Sequence, residues 1–271
     1  VDTASSDIRV LREFTEQTNS VWWNNAPSWS PDGEMIGLTY SVSDTTKVMV
    51  ISATNGEVIH DFGGYGQDFS PDGKDIVTLR DGRLWTVDLK DGSAYPVTLS
   101  EQRNITQPIW SPNGEWISYK VRNRSRLVSS YGGESEDFIE AGNWFDLYGW
   151  DENSEKIFYN YDGVIWSKKI HTEEVLREDF TLGGNGGWGD ISSDGEVVAY
   201  NQANNWGLFL VRRGQELSKL ITNSDYTNHA LGRASFSPSD SRIALFLLPK
   251  FFTKTVLADV SHLINPKPAI P

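Results

Sequence analysis

Cysteine is absent from the 271 residues, which removes disulfides, thiolate metal sites and thiol nucleophiles together and leaves the redox compartment open. No run of 18 or more apolar residues occurs, so no segment reads as a membrane-spanning helix. Basic residues are the scarcer charge: 24 Lys and Arg stand against 37 Asp and Glu, a formal net charge of −13. Such a surface repels phosphate backbones, and no nucleic acid is expected as a partner. Histidine is rare, at four residues, and the nucleophile string G-x-S-x-G does not occur, which argues against an α/β-hydrolase. The chain opens at Val1 without a basic-then-apolar leader, the expected look of a mature or trimmed form of a longer product.

Aromatic residues, by contrast, are plentiful. The 11 Trp, 10 Tyr and 12 Phe are enough to fill a sheet-on-sheet core. Repetition is the second abundance. Residues 28–38 read SWSPDGEMIGL, and related strings begin at Asp68, Ile109, Gly149, Asp190 and Ser235. The apolar residues ahead of these turns are Trp29, Phe69, Trp110, Trp150, Ile191 and Phe236, with steps of 40, 41, 40, 41 and 45. A period of about 40 to 45 residues is what one four-stranded propeller blade needs. Each copy then offers a turn at Ser-Pro-Asp-Gly or its variant, two further β-rich segments such as KVMVI (47–51), and a second turn such as Asn55-Gly56. In the first turn Pro presets φ, Asp bonds its own backbone and Gly accepts a positive φ.

The last copy runs out of strand, because after TVLADV only SHLINPKPAIP remains, and a segment so rich in proline cannot make a ladder strand. The other end of the chain supplies the missing piece. VLREFT (10–15) nearly copies VLREDFT (175–181), the fourth strand of the fourth copy. The expected fold is therefore an all-β, six-bladed β-propeller of four-stranded antiparallel blades, with the N-terminal strand 8–15 completing the last blade and protecting its edge. It forms one domain over 8–260, with blades starting near 26, 66, 106, 146, 187 and 232, followed by a Pro-rich C-terminal tail, 261–271.

The pattern W-S-P-D-G-x-x-I at 29–38 and 110–119, with Phe69 in the marker place of the second copy, resembles the TolB-type, WD40-like β-propeller repeat. That repeat occurs in the periplasmic protein TolB and in the propellers that accompany prolyl oligopeptidase and dipeptidyl peptidase enzymes. The resemblance covers about 8–260 and is to the propeller alone. It departs at 150–158, where Pro and Gly of the turn are lost, and at 236–245, where Gly is lost. It implies an extracytoplasmic location, periplasmic or secreted, and a protein partner at a cell envelope. No residue role is carried over from it.

The chemistry available unaided is sparse. His60, His171 and His262 fall on outer strands, turns or the tail, and only His229 precedes an innermost strand. Each Ser-Pro-Asp-Gly turn offers a single Asp, whereas a calcium loop gathers several oxygen ligands at alternate positions. No metal and no cofactor are expected. In an up-and-down blade, the segments leading into the innermost strands and the connections between second and third strands share one face of the disk, and the Ser-Pro-Asp-Gly turns lie on the other. The first face collects Trp22, Trp23, Asn24, Tyr65 and Asn104, with Trp144, Trp188 and Trp206. Arg122, Asp146, His229 and Arg233 add charged groups around the axis. Aromatic platforms interleaved with amides suit neutral polar ligands.

These residues point to a non-catalytic binding or scaffold propeller that recognises a peptide segment or a saccharide at this face. Two alternatives remain. One is a propeller-type carbohydrate-active enzyme, a lyase or hydrolase. Hydrolysis would need two carboxylates at a set separation, and only Asp146 lies convincingly in a leading segment. The other is the propeller fragment of a larger peptidase or receptor, with PKPAIP as the start of a linker.

Overall fold

The computed structural model describes residues 8–14, 25–42, 45–99, 101–102, 104–140, 142, 145–183, 187–201, 207–215, 218–221, 229–249 and 253–259. Among these, the strands form six four-stranded antiparallel sheets. Their innermost strands are Ser28–Trp29, Tyr65–Phe69, Ile105–Trp110, Phe145–Trp150, Gly189–Ile191 and His229–Phe236, and we number the sheets 1 to 6 in that order. Each innermost strand lies beside that of the next sheet, and the one in sheet 6 returns to the one in sheet 1. The arrangement is an all-β propeller around an axial channel.

Sheets 1 to 5 are each built from four consecutive strands, whereas sheet 6 takes its fourth strand from the N-terminus. Ile8–Phe14 runs antiparallel to Thr253–Asp259, with Ile8 opposite Ala258, Val10 opposite Val256 and Phe14 opposite Thr253. The register slips between Val10 and Arg12, which is how a bulge re-aims a side chain. Leu11, the residue left over, packs against the cluster that Trp29, Leu38 and Phe246 form between sheets 1 and 6. Similar clusters join sheets 1 and 2, 2 and 3, 3 and 4, and 4 and 5. Side chains such as Ile36, Leu79 and Ile157 are fully buried there, each worth about 1.5–3 kcal/mol of burial.

The Ser-Pro-Asp-Gly turns are closed by their own side chains. The Ser30 hydroxyl donates to Asp32 Oδ1 at 2.6 Å and accepts from the Met35 amide at 2.8 Å, while Asp32 Oδ1 also accepts from the Glu34 amide. Ser70 with Asp72, Ser111 with Asn113 and Ser192 with Asp194 repeat the motif. The two diverged copies keep the geometry by other means. Asp151 stands where the others have Ser and accepts from the Lys156 amide, and Ser154 takes the positive-φ place of Gly. In the last copy Asp240 takes that place, at φ +54. The turn carboxylates are thus consumed by backbone donors, as local side-chain bonds of Asp and Ser characteristically are.

Gly56 shows how the joined chain ends constrain a distant turn. Its φ is +73, and a Cβ there would stand 2.0 Å from the Leu11 carbonyl oxygen. Gly92 has the same backbone conformation, φ +75, with open space around it. Gly92→Ala is expected to cost about 1 kcal/mol for the left-handed conformation alone, and Gly56→Ala distinctly more because it displaces the N-terminal strand. Urea unfolding of the two variants side by side measures the difference; equal losses would mean that Leu11 does not lie where the structure puts it.

Candidate axial binding site

The innermost strands run from the loop side of the disk to the turn side, so position along a strand translates into depth in the channel. Near the loop side, Asp146 of sheet 4 and Arg233 of sheet 6 form a two-pronged ion pair, with Nη1 to Oδ2 at 2.9 Å and Nη2 to Oδ1 at 2.7 Å. Both residues are only 5% exposed, and the pair reaches past sheet 5. Lys120 of sheet 3 stands 3.9 Å from Asp146 Oδ1 and donates to the Phe145 carbonyl. Burial holds its ammonium below the ordinary lysine value, against the pull of Asp146. The Arg233 guanidinium also lies 5.6 Å from the Trp188 ring centre, within cation–π range.

From Arg233 a cavity of about 270 Å³ extends to Pro112, Ser193 and Pro238 in the turns, which are exposed. Four of its lining residues carry a buried polar atom without a hydrogen-bond partner among the described residues: Asn25 Oδ1, Ser28 Oγ, Gln107 Oε1 and Arg233 Nε. Gln107 does use its amide N–H, which donates to the Leu147 carbonyl at 3.2 Å. The carboxylates of Asp68 and Asp190 share the wall. They occupy the same place in sheets 2 and 5, immediately before Phe69 and Ile191, and so stand three sheets apart in either direction round the ring.

Asp68 Oδ2 accepts from the Trp110 amide at 2.7 Å, and Asp190 Oδ2 from the Phe236 amide at 2.8 Å, so each carboxylate clamps its sheet to the next. Asp190 Oδ1 also accepts from its neighbour, the Ile191 amide. Burial pushes both carboxyls up to about 7, against these hydrogen bonds, and the Asp190 charge adds to the rise at Asp68.

The residues expected from sequence are distributed unevenly over this geometry. Asp146 and Arg233 are brought together, but on one another. Trp188 is half-buried beside Arg233. Tyr65 is half-buried against the cluster between sheets 2 and 3. Asn104 and Arg122 are exposed neighbours, joined by the Arg122 amide donating to the Asn104 carbonyl, and both have positive φ. Arg122 lines a second cavity with Arg124 and Arg126. His229 opens the innermost strand of sheet 6, opposite Pro249. Trp22, Trp23, Asn24, Trp144 and Trp206 lie outside the described residues. No group of three or more His, Cys, Asp or Glu able to hold a metal ion occurs among the described residues.

Sequence reasoning missed Asp68 and Asp190. The repeat alignment contains them, since only copies 2 and 5 have Asp immediately ahead of the marker residue. Three copies apart in a ring of six means opposite, and that was the available signal.

No family model matches the chain. Over 109 residues it is 26% identical to YuxL, an uncharacterized peptidase of Bacillus subtilis (strain 168), a stretch covering 40% of this chain and 16% of that protein. Among solved structures, a putative TolB from Agrobacterium tumefaciens superposes with a TM-score of 0.58 at 19% identity, covering 71% of this chain and 73% of that one. Oligogalacturonate lyase from Vibrio parahaemolyticus gives 0.56 at 13% identity, covering 95% and 99%. The β-propeller domain of Cps50 (Swd1) from Myceliophteria thermophila gives 0.56 at 14%, covering 86% and 82%. The likeness is one of fold: the chain is a β-propeller of the kind seen in TolB and in WD40-like proteins.

Proposed function

We propose that this chain is a non-catalytic binding propeller, a closed ring of six blades forming one domain over 8–260, whose axial channel receives a segment of a partner peptide. The observation that carries this reading is the set of buried, unpartnered polar atoms in the residues that line the channel. A buried acceptor left without a donor costs about 1–3 kcal/mol, so a cavity that gathers several of them is built for a polar occupant. Concave sites with a few convergent polar groups are where ligands bind, and peptide backbone N–H groups are donors of the required kind.

On this reading the Trp and Asn residues of the loop face, including Trp22, Trp144 and Trp206, touch the body of the same partner where it rests on the disk. The TolB-like fold supports a periplasmic or secreted location. The nearly complete mutual coverage with oligogalacturonate lyase favours a second reading, a carbohydrate-active enzyme, over any other. Against hydrolysis, the environments of Asp68 and Asp190 push both carboxyls the same way, whereas an acid–nucleophile pair needs them pushed apart.

The test is a peptide array and a glycan array, probed with the unmodified protein, Gln107→Leu, and the loop-face variants Trp22→Ala, Trp144→Ala and Trp188→Ala. Peptide binding is expected, weakened roughly tenfold by Gln107→Leu through loss of one buried hydrogen bond. Oligogalacturonate and neutral glycans incubated with the protein should emerge at unchanged length. Peptide binding indifferent to Gln107→Leu would remove the channel from consideration, and glycan shortening would replace binding with catalysis.

A further inference from the structure

The channel wall is unbalanced between donors and acceptors. Three of its four unpartnered atoms, Asn25 Oδ1, Ser28 Oγ and Gln107 Oε1, can accept a hydrogen bond, and Asp68 and Asp190 add two carboxylates on opposite sides. Backbone amides occupy only part of the capacity of those carboxylates, because a carboxylate offers about four lone-pair sites. The unpartnered donors are the Ser28 hydroxyl, which can equally accept, and Arg233 Nε, which belongs to a guanidinium already neutralised by Asp146. What would satisfy this wall is a compact group with several N–H donors, no acceptor and a positive charge.

Resting on the reading of the channel as the binding site, the geometry points to a primary ammonium on an unbranched stem, carried by a lysine side chain or a peptide N-terminus, as the group seated between Asp68 and Asp190. An ammonium presents three donors and one charge, and a charge-assisted bond is roughly twice as strong as a neutral one. A metal ion fits less well: it needs several oxygens at about 2.0–2.6 Å, and no group of three or more His, Cys, Asp or Glu able to hold one occurs among the described residues.

The ionisable groups facing the channel are Asp68, Asp190 and Asp240, with Tyr148 and Arg233. Asp240, on the turn side, has its carboxyl raised by burial and is held by the Ser193 hydroxyl and amide. Tyr148 is held well above its ordinary value by burial, and so stays neutral. Arg233 and its bidentate partner Asp146 close the loop end as a neutral ion pair. The unpaired carboxylates thus lie on the turn side of that pair, where a cation would enter and be held.

The test is calorimetric titration of the whole chain with Nα-acetyl-lysine amide, which carries only the side-chain ammonium, and with glycylglycine amide, which carries only the α-ammonium. Nα-acetyl-norleucine amide serves as the uncharged counterpart. At pH 8 at least one ammonium probe should bind roughly tenfold or more tighter than the norleucine compound; which one identifies the source. That advantage should shrink at pH 5.5, where Asp68 and Asp190 are protonated, and in Asp68→Asn and Asp190→Asn, whose amide oxygen can still accept from Trp110 or Phe236. Equal binding of charged and uncharged probes, or ammonium binding unchanged at pH 5.5 and in both Asn variants, would overturn the inference. So would no saturable binding of either ammonium probe, even while array peptides still bind in a Gln107-dependent way; in that case the channel stands as a peptide site and only its preference for a cation falls.

Discussion

Asp146→Ala is expected to cost about 3–5 kcal/mol of stability, the range for breaking a buried ion pair from one side. The loss comes less from the missing attraction than from what remains: an Arg233 guanidinium 5% exposed, with no carboxylate beside it and a lysine nearby. The ion pair joins sheets 4 and 6 across the channel, so the damage should spread beyond one sheet and lower the cooperativity of unfolding. The double variant Asp146→Leu/Arg233→Met removes both charges while keeping bulk, and should recover most of the loss, since buried pairs replaced whole by apolar groups are often neutral. Urea unfolding of the two single variants and the double one gives the cycle. A loss under about 1 kcal/mol for Asp146→Ala would place the pair in solvent-accessible surroundings.

The same residues show how far the sequence could be read. Period and turn chemistry carried the propeller architecture, because both are local: a Ser-Pro-Asp-Gly turn closes with bonds spanning five residues or fewer. The near-copy VLREFT was enough to pair the two chain ends, and the structure sets Ile8–Phe14 beside Thr253–Asp259. The candidate site was less legible. Asp146 and Arg233 are 87 positions apart, and nothing in either segment says that they meet, so the sequence alone shows them only as charged groups around an axis. Tyr65 leads into a strand, which in sequence points to the loop face, and a slip in strand register between Tyr65 and Gln67 accompanies its half-buried packing against the cluster between sheets 2 and 3. Depth in the channel and side-chain direction depend on such slips, which also occur in the innermost strands of sheets 3, 4 and 6. Periodicity alone does not locate them.

The carboxylates of the channel are expected to make the protein more stable in mild acid than at neutral pH. Asp68 and Asp190 titrate near 7 when folded and near 3.8 otherwise, so between those values the folded chain holds more protons than the unfolded one. Stability therefore falls as pH rises from about 4 to about 7 and levels off above that. At roughly 1.4 kcal/mol per unit, reduced because the channel admits solvent, the two groups together shift stability by a few kcal/mol. Asp75 and Asp240, also raised by burial, act in the same direction, as does growing repulsion in a chain of net charge −13. Asp32, Asp72 and Glu178 are held low by their hydrogen bonds and act only in more acid solution, so they do not mask the slope. The diagnostic measurement is thus a difference: urea midpoints at pH 5.5, 7 and 8.5 for the unmodified protein and for Asp68→Asn. The variant should lose part of the gradient while gaining stability relative to the unmodified protein at pH 8.5, where it no longer buries that charge. A parallel pair of pH curves would mean that Asp68 is already solvated like a surface carboxylate. A steeper native curve would mean that the folded protein at neutral pH holds the Asp68 charge in the channel at the expense of its own stability, a cost that a bound cation would relieve.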